Sequence, residues 1–368
     1  MKKFLSVLLA CTMIFGLVAF AGCGDKEAAG DKFEIAVVTD VGQLMDGGFN
    51  QGTWEGAKNY AEAHKITYKY YQPANGSDAT DNDRIAAMRL AIDNGAKIIV
   101  APGFLQFNAM STVAKENPDV KFVFVDGWSF GEKNVTAVIY KEQESGYMAG
   151  YAAVMDGYTK LGATLGGGGG NPACNRFGYG YVQGAAAAAA EKNVDVDMIV
   201  SYKYGSAFSA STELQTQIAG WYANGTEVVF SCGGSMVNSV KAAAEETTNG
   251  KMIGVDTNQS GISERVITSA VKGLATSVEI ILGKFYDGKW DAELADQAVN
   301  LGASDNATGL PDDFSRFTSF NKAAYDALFT KVANGSLAIK SETPDDCDDE
   351  SFWTNAVAGT RVKITLDK

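Results

Sequence analysis

Few residues in this sequence could break or form covalent bonds, and their surroundings argue against it. His64 is the only histidine, set in the polar context Glu62-Ala-His-Lys65. A histidine base needs a nucleophile and an orienting group, and neither Ser-His-Asp nor Cys-His chemistry is legible around it. Beyond the N-terminal region the cysteines are Cys174, Cys232 and Cys347. Their odd number and wide spacing give neither a disulfide framework nor a zinc site, and Cys232 reads as a small buried residue. Gly166–Gly170 has the look of a phosphate cradle, but no Gly-Lys-Ser/Thr follows it. Gly178-Tyr-Gly180 starts a GxGxxxG spacing, better explained by close helix packing or a loop near a cleft than by a dinucleotide. Asp345-Asp-Cys-Asp-Asp-Glu350 lacks the ligand order and central glycine of a calcium loop and reads as a charged turn. The sequence therefore points away from an enzyme, and no cofactor or metal is expected.

A different group of residues has spacing suited to binding. Asp40, Phe104, Asp126, Phe208, Gly233 and Asp256 each fall at or just past the end of a short apolar run. Those runs read as strands at Glu34–Thr39, Ile66–Tyr71, Lys97–Ala101, Lys121–Val125 and Thr136–Tyr140. Helical spacing covers Phe49–Ala63, Asp83–Asn94 and Phe107–Asn117 between them. Strands separated by helices imply parallel sheets covered on both faces. The second half repeats the plan. Gly95–Gly103 matches Gly225–Gly233, and Lys121–Asp126 matches Lys251–Asp256, both at an offset of 130 residues. The fold class expected is α/β, with two doubly wound, Rossmann-like lobes joined by a hinge. Ligands of open parallel sheets sit beyond the carboxyl ends of the strands, so the residues above should converge on one interlobe cleft. The division expected is 33–140 plus 257–287 for the first lobe, and 141–256 plus 288–368 for the second.

The N-terminus sets the compartment. Met1-Lys-Lys3, an uncharged apolar run from Phe4 to Phe20, and Ala21-Gly22-Cys23 have the layout of a secretory signal. The junction resembles a bacterial lipobox. Residues 1–22 would be removed, Cys23 would take the lipid (palmitate among its acyl chains), and residues 23–32 would form a tether. The expected place is the extracytoplasmic face of the cell membrane. The chain carries a formal net charge of −13, and such an acidic surface repels phosphate backbones, which argues against nucleic acid as a partner.

Several blocks together carry a family resemblance. They are Val38-Thr-Asp40-Val-Gly with Asp46-Gly-Gly-Phe49-Asn50-Gln51, Tyr140-Lys-Glu-Gln-Glu-Ser-Gly-Tyr-Met-Ala-Gly150, Tyr204-Gly-Ser-Ala-Phe208, Ile253-Gly-Val-Asp256-Thr-Asn-Gln259, and Thr268-Ser-Ala-Val-Lys272. In this order they resemble the BMP (basic membrane protein) family of ABC-importer substrate-binding lipoproteins, some of which are purine-nucleoside receptors. The resemblance implies a type I periplasmic-binding-protein architecture and permease and ATPase subunits as partners. It also implies a ligand site in which Phe49 and Phe208 stack on a base. Asp40, Asp126 and Asp256 would be its carboxylates, Gly234 its glycine before a helix, and Lys272 its lysine, with Asn50 in the first block. The physics is compatible, since flat rings gain from aromatic faces and ribose hydroxyls from an ionised carboxylate. A lipoprotein receptor for a sugar or another signalling molecule is the alternative. Phe104 and Trp128 are candidate extra walls.

Overall fold

Short runs rich in β-branched and aromatic residues, too short for helices and most of them closed by Gly, Pro or Asp, become the strands of two sheets. The computed structural model describes residues 32–40 and 44–368; the signal segment, Cys23 and nearly all of the tether lie outside the described residues. The first sheet, A, contains β1 (Ile35–Val38), β2 (Tyr68–Tyr71), β3 (Ile98–Pro102), β4 (Lys121–Val125) and β5 (Val135–Tyr140). The second, B, contains β6 (Lys160–Leu165), β7 (Val196–Ser201), β8 (Val228–Cys232), β9 (Lys251–Asp256) and β10 (Val266–Lys272). Spatial order is β2-β1-β3-β4-β5 in A and β7-β6-β8-β9-β10 in B, all parallel. The repeat is thus real as topology. Sheet A gains β11 (Ala298–Leu301) beside β5; sheet B gains antiparallel β12 (Thr308–Gly309) beside β10 and parallel β13 (Val362–Leu366) beside β7.

Helices cover both faces of each sheet. In the first lobe α1 (Phe49–His64) lies on one face, and α2 (Asp81–Asp93) and α3 (Phe107–Glu116) on the other. In the second, α4 (Glu142–Asp156) and α5 (Pro172–Lys192) cover one face of sheet B, and α6 (Thr212–Ala223) and α7 (Met236–Glu245) the other. Helix α8 (Leu274–Tyr286) returns to pack beside α1, and α9 (Lys322–Ala333) and α10 (Glu350–Ala356) close the face that carries α4 and α5.

The chain crosses between lobes after β5, at Gly273 between β10 and α8, and between β11 and β12. This corrects the expected division. Strand β10 belongs to sheet B, although the expected first lobe takes in 257–287, and β11 belongs to sheet A, although the expected second lobe takes in 288–368. A short apolar run does not announce which sheet edge it will join. Side chains at the start of α4 knit the crossings together. Glu144 Oε2 accepts from the Ala303 amide (2.7 Å) and Thr308 Oγ1 (2.6 Å). Ser145 Oγ donates to Val271 O (2.6 Å) and accepts from the Gly309 amide (2.8 Å).

Helices α4 and α5 touch backbone to backbone. A Cβ on Gly146 would stand 2.1 Å from Phe177 O, and one on Gly150 2.0 Å from Tyr181 O. Reciprocally, a Cβ on Gly180 would stand 2.1 Å from Gln143 O and one on Gly184 1.9 Å from Tyr147 O. In the Gly178-Tyr-Gly180 spacing, Gly180 lies on this seam, while a Cβ on Gly178 would meet Leu165 at 2.5 Å and Trp353 at 3.2 Å, so both glycines are packing positions against different neighbours. The seam sets the first turns of α4 beside α5 from Phe177 to Gly184.

Candidate functional site

The carboxyl ends of the two sheets enclose a cleft of about 1000 Å³. It is lined by all eight residues expected to bind: Asp40, Phe49, Asn50, Asp126, Phe208, Gly234, Asp256 and Lys272. Phe104 also lines it. Trp128 packs on Phe107 and Phe124 (ring centroids 4.9 and 5.3 Å) and does not line the cleft, so it is no wall of the site.

Repeat-related residues hold the centre. Asp126 and Asp256 follow or end β4 and β9, and both take the left-handed conformation (φ 57° and 65°). That region is uncommon outside glycine, although aspartate tolerates it better than most residues. From opposite lobes they flank Lys272, whose side chain is 2 % exposed. Lys272 Nζ donates to Asp126 Oδ2 at 2.6 Å, with Glu142 Oε1 at 3.4 Å and Asp256 Oδ1 at 4.0 Å. The same ammonium stands over the faces of Phe49, Tyr140 and Phe177 at 5.1–5.5 Å, where ring quadrupoles add attraction. Burial opposes the lysine's charge, but Asp126, Glu142 and Asp256 outweigh it and hold its pKa above the ordinary value. Burial also pushes the Asp256 carboxyl up to about 7; Lys272 opposes the rise, and Asp126, Asp46 and Glu142 reinforce it. Asp126 is raised by burial too. Its Oδ1 is buried without a hydrogen-bond partner, as is Asn50 Oδ1. Buried acceptors left open in this way are costly and suit a ligand that donates.

The first lobe builds its wall around the start of α1. Asp46 accepts from the amides of Gly48 (2.9 Å), Asn50 (3.0 Å) and Gln51 (3.2 Å), capping the helix that presents Phe49 and Asn50. Asn50 Nδ2 bridges Asp46 and Asp40, at 3.2 Å from each. Gly103 (φ 96°) leaves room for Asp40, whose Oδ2 would lie 2.3 Å from a Cβ there. Residues after β9 pin this loop, since Thr257 Oγ1 and Gln259 Nε2 both donate to Gly47 O.

The second lobe builds its wall around Phe208, itself at φ 56°, a conformation rare for a bulky residue. Cβ atoms on Gly166 and Gly234 would lie 2.6 Å from its ring and 2.5 Å from its carbonyl oxygen. The glycine run that resembled a phosphate cradle is in part the seat of this ring. Phe208 meets Phe104 of the other lobe edge-on (6.3 Å between centroids). Gly234 has φ 45°, and the following Ser235 amide donates to Phe208 O at 2.9 Å.

Sequence reading gives no role to Asp46, which lines the cleft, or to Glu142 and Arg176, whose ion pair stands beside Lys272. Glu142 and Asp46 lie inside the quoted blocks but receive no role there. Arg176 carries no signal, because its partner is 34 residues away. His64 sits at the end of α1, stacked on Tyr60 and bonded to its carbonyl, and does not line the cleft.

The comparisons with known proteins agree with this architecture. Residues 33–343 match the family described as ABC transporter substrate-binding protein PnrA-like. The chain is 31 % identical to the ABC transporter nucleoside-binding protein BmpA of Lactococcus lactis, over 91 % of this chain and 99 % of that protein. It is 24 % identical to an uncharacterised lipoprotein of Pyrococcus furiosus, over 94 % and 84 %. The crystal structure of an ABC transporter solute-binding protein from Aeropyrum pernix superposes with a TM-score of 0.70 at 20 % identity, covering 88 % of this chain and 96 % of that one; this likeness concerns the fold. Two lobes, a cleft at their strand ends and a family match over most of the chain lead to one conclusion: this protein belongs to the Bmp family of ABC transporter substrate-binding proteins.

Proposed function

We propose that this chain is the lipid-anchored binding component of an ABC importer and that its cleft takes a purine nucleoside. The observation that carries the reading is Lys272, buried between Asp126 of one lobe and Asp256 of the other. A ribose offers adjacent hydroxyls that donate to such carboxylates and accept from the ammonium, while the base lies against Phe49 and Phe208. Asp40 and Asn50 stand at the base end. Charge supports a nucleoside over a nucleotide. The lining carries Asp40, Asp46, Asp78, Asp126 and Asp256, with Lys272 the single basic residue there among the described residues, a field that repels phosphate. The Lactococcus relative, named as nucleoside-binding, supports the same class. Anchoring through Cys23 is supported by the junction Ala21-Gly22-Cys23 and by the Pyrococcus relative, named a lipoprotein. No helix among the described residues is long and apolar enough to cross a membrane.

The test is mass spectrometry of the ligand released from freshly purified, denatured protein, followed by calorimetry on refolded protein. Inosine, guanosine or adenosine should bind, with ribose and the corresponding monophosphates much weaker. Binding of a simple sugar with no response to any nucleoside would discard the nucleoside and favour a sugar receptor.

A further inference from the structure

The cleft lysine has one close partner that the ligand cannot reach. Glu142 is fully buried and does not line the cleft. It follows the first crossing between lobes and opens α4, where the positive end of the helix dipole favours a carboxylate. Its Oε2 accepts from Arg176 Nε at 2.6 Å. Its Oε1 has no hydrogen-bond partner and faces Lys272 Nζ at 3.4 Å. Arg176 lies in the first turns of α5, so the glycine seam between α4 and α5 fixes both ends of this ion pair.

We infer that Glu142, held by Arg176, is a positioning residue that aims Lys272 into the ligand cleft. The inference rests on the reading of that cleft as the ligand site. Asp126 belongs to the first lobe, whereas Lys272 and Glu142 stand on the second-lobe side of the crossings. When the lobes part, the bond from Lys272 to Asp126 must break. A lysine with no other anchor would then be an unpaired buried charge or swing out to water. Glu142 stays beside it in both states. Closure then returns Asp126 and the ligand hydroxyls to an ammonium already in place, which reduces the ordering cost of binding.

The experiment uses Glu142→Gln, which keeps the shape and removes the charge, and Arg176→Gln, which frees Glu142 from its partner. Arg176→Gln, at a side chain that is 24 % exposed, serves as the second variant should Glu142→Gln fail to fold. Calorimetry with inosine across pH is paired with carbon-13 NMR titration of the Asp126 and Asp256 carboxyls in ligand-free protein. The charged groups facing Asp256 are Lys272 on β10, Asp126 after β4, Asp46 before α1 and Glu142 on α4. Glu142→Gln should weaken inosine binding about tenfold. The Asp256 midpoint separates positioning from charge alone. An ammonium no longer held in place leaves Asp256 less favoured as a carboxylate, so its midpoint should move toward alkali, by roughly half a pH unit or more, whereas loss of the Glu142 charge alone would move it toward acid. Arg176→Gln should move it the same way by less, because Glu142 is then itself less firmly held. An unmoved or acid-shifted Asp256 midpoint in Glu142→Gln, or unchanged affinity, would overturn the inference. If the Asp256 midpoint moves as stated but wild-type protein binds no nucleoside, the positioning of Lys272 stands and the nucleoside reading is lost.

Discussion

Strands β4 and β9 end alike, in Asp126 and Asp256 with left-handed backbones, yet the lobes around them solve the problem of a cleft wall differently. The first lobe builds with side chains: Asp46, Asn50 and Asp40 form a hydrogen-bonded chain that caps α1 and presents Phe49. The second builds with missing side chains. Glycines at 166 and 234 leave the space that seats Phe208, and four more glycines bring α4 and α5 together beneath Lys272 and Glu142. Substitutions should therefore act on different quantities in the two lobes. In the first lobe they change polarity at the site, and in the second they change volume behind it.

The largest effect expected is in the second lobe. Gly184→Val would place its Cβ 1.9 Å from Tyr147 O, and backbone cannot yield as a side-chain tip can. We expect a loss of about 3 kcal/mol or more, read as a lower midpoint in denaturant. A variant that melts like wild type would mean that the seam is not a tight contact.

Next come the rings. Phe49→Ala and Phe208→Ala should each weaken inosine binding by about 1–3 kcal/mol, the range for a lost stacked base. The contrast between lobes predicts a difference in ligand-free stability. Phe208 fills a seat made of glycine backbone and leaves a hole, whereas Phe49 stands on a capped helix and leaves the cap intact. Calorimetry and thermal melting on the same samples separate the two; equal melting temperatures would erase the distinction.

The effect of pH has opposite signs on folding and on binding. The native state holds the Asp256 proton up to about pH 7, well above the ordinary carboxylate value of 3.8. The stability this contributes is full below the ordinary value and is lost as pH rises through about 7. The carboxylate that accepts ligand hydroxyls forms over that same interval, so affinity should rise. Melting with and without inosine at about pH 5.5 and about pH 8 measures both trends. Asp256→Asn should flatten them; trends that persist unchanged in it would assign the titration to another group.

The smallest effect expected is a gain. Gly220 lies inside α6, and a methyl group added there would meet nothing within 4 Å, unlike its counterparts in the seam. Gly220→Ala should stabilise by about 0.4–1 kcal/mol through the unfolded chain and helix propensity. A decrease would mean that α6 requires glycine for a reason other than space.

Much of this is legible in the sequence. Expected strand Lys121–Val125 matches β4 residue for residue, and the others of the first lobe agree to within two residues, because β-branched runs between helices carry their own period. The repeat at offset 130 recovers equivalent strands, and strand-end residues converge on the cleft as parallel topology requires. The sheet joined by β10 and by β11 is not legible, since pairing is a long-range choice that leaves no mark on a single strand. Nor is the pairing of Glu142 with Arg176, which depends on two helices approaching closely enough for their first turns to meet. The tail is also opaque. Its acidic stretch holds buried Cys347, and Trp353 donates to the carbonyl of that cysteine, so part of the apparent surface turn is core.

The glycine seam has a thermal consequence. Contacts between apolar side chains draw on water release and weaken as water cools. Where α4 and α5 meet through their backbones, cohesion comes from dispersion and from weak contacts of Cα–H groups with carbonyl oxygens. The glycines themselves bring no side-chain area to the contact, so their own share of the heat-capacity change is small. The platform beneath Lys272 should therefore keep its grip in the cold, while the helix faces around it, held by larger apolar side chains, loosen first.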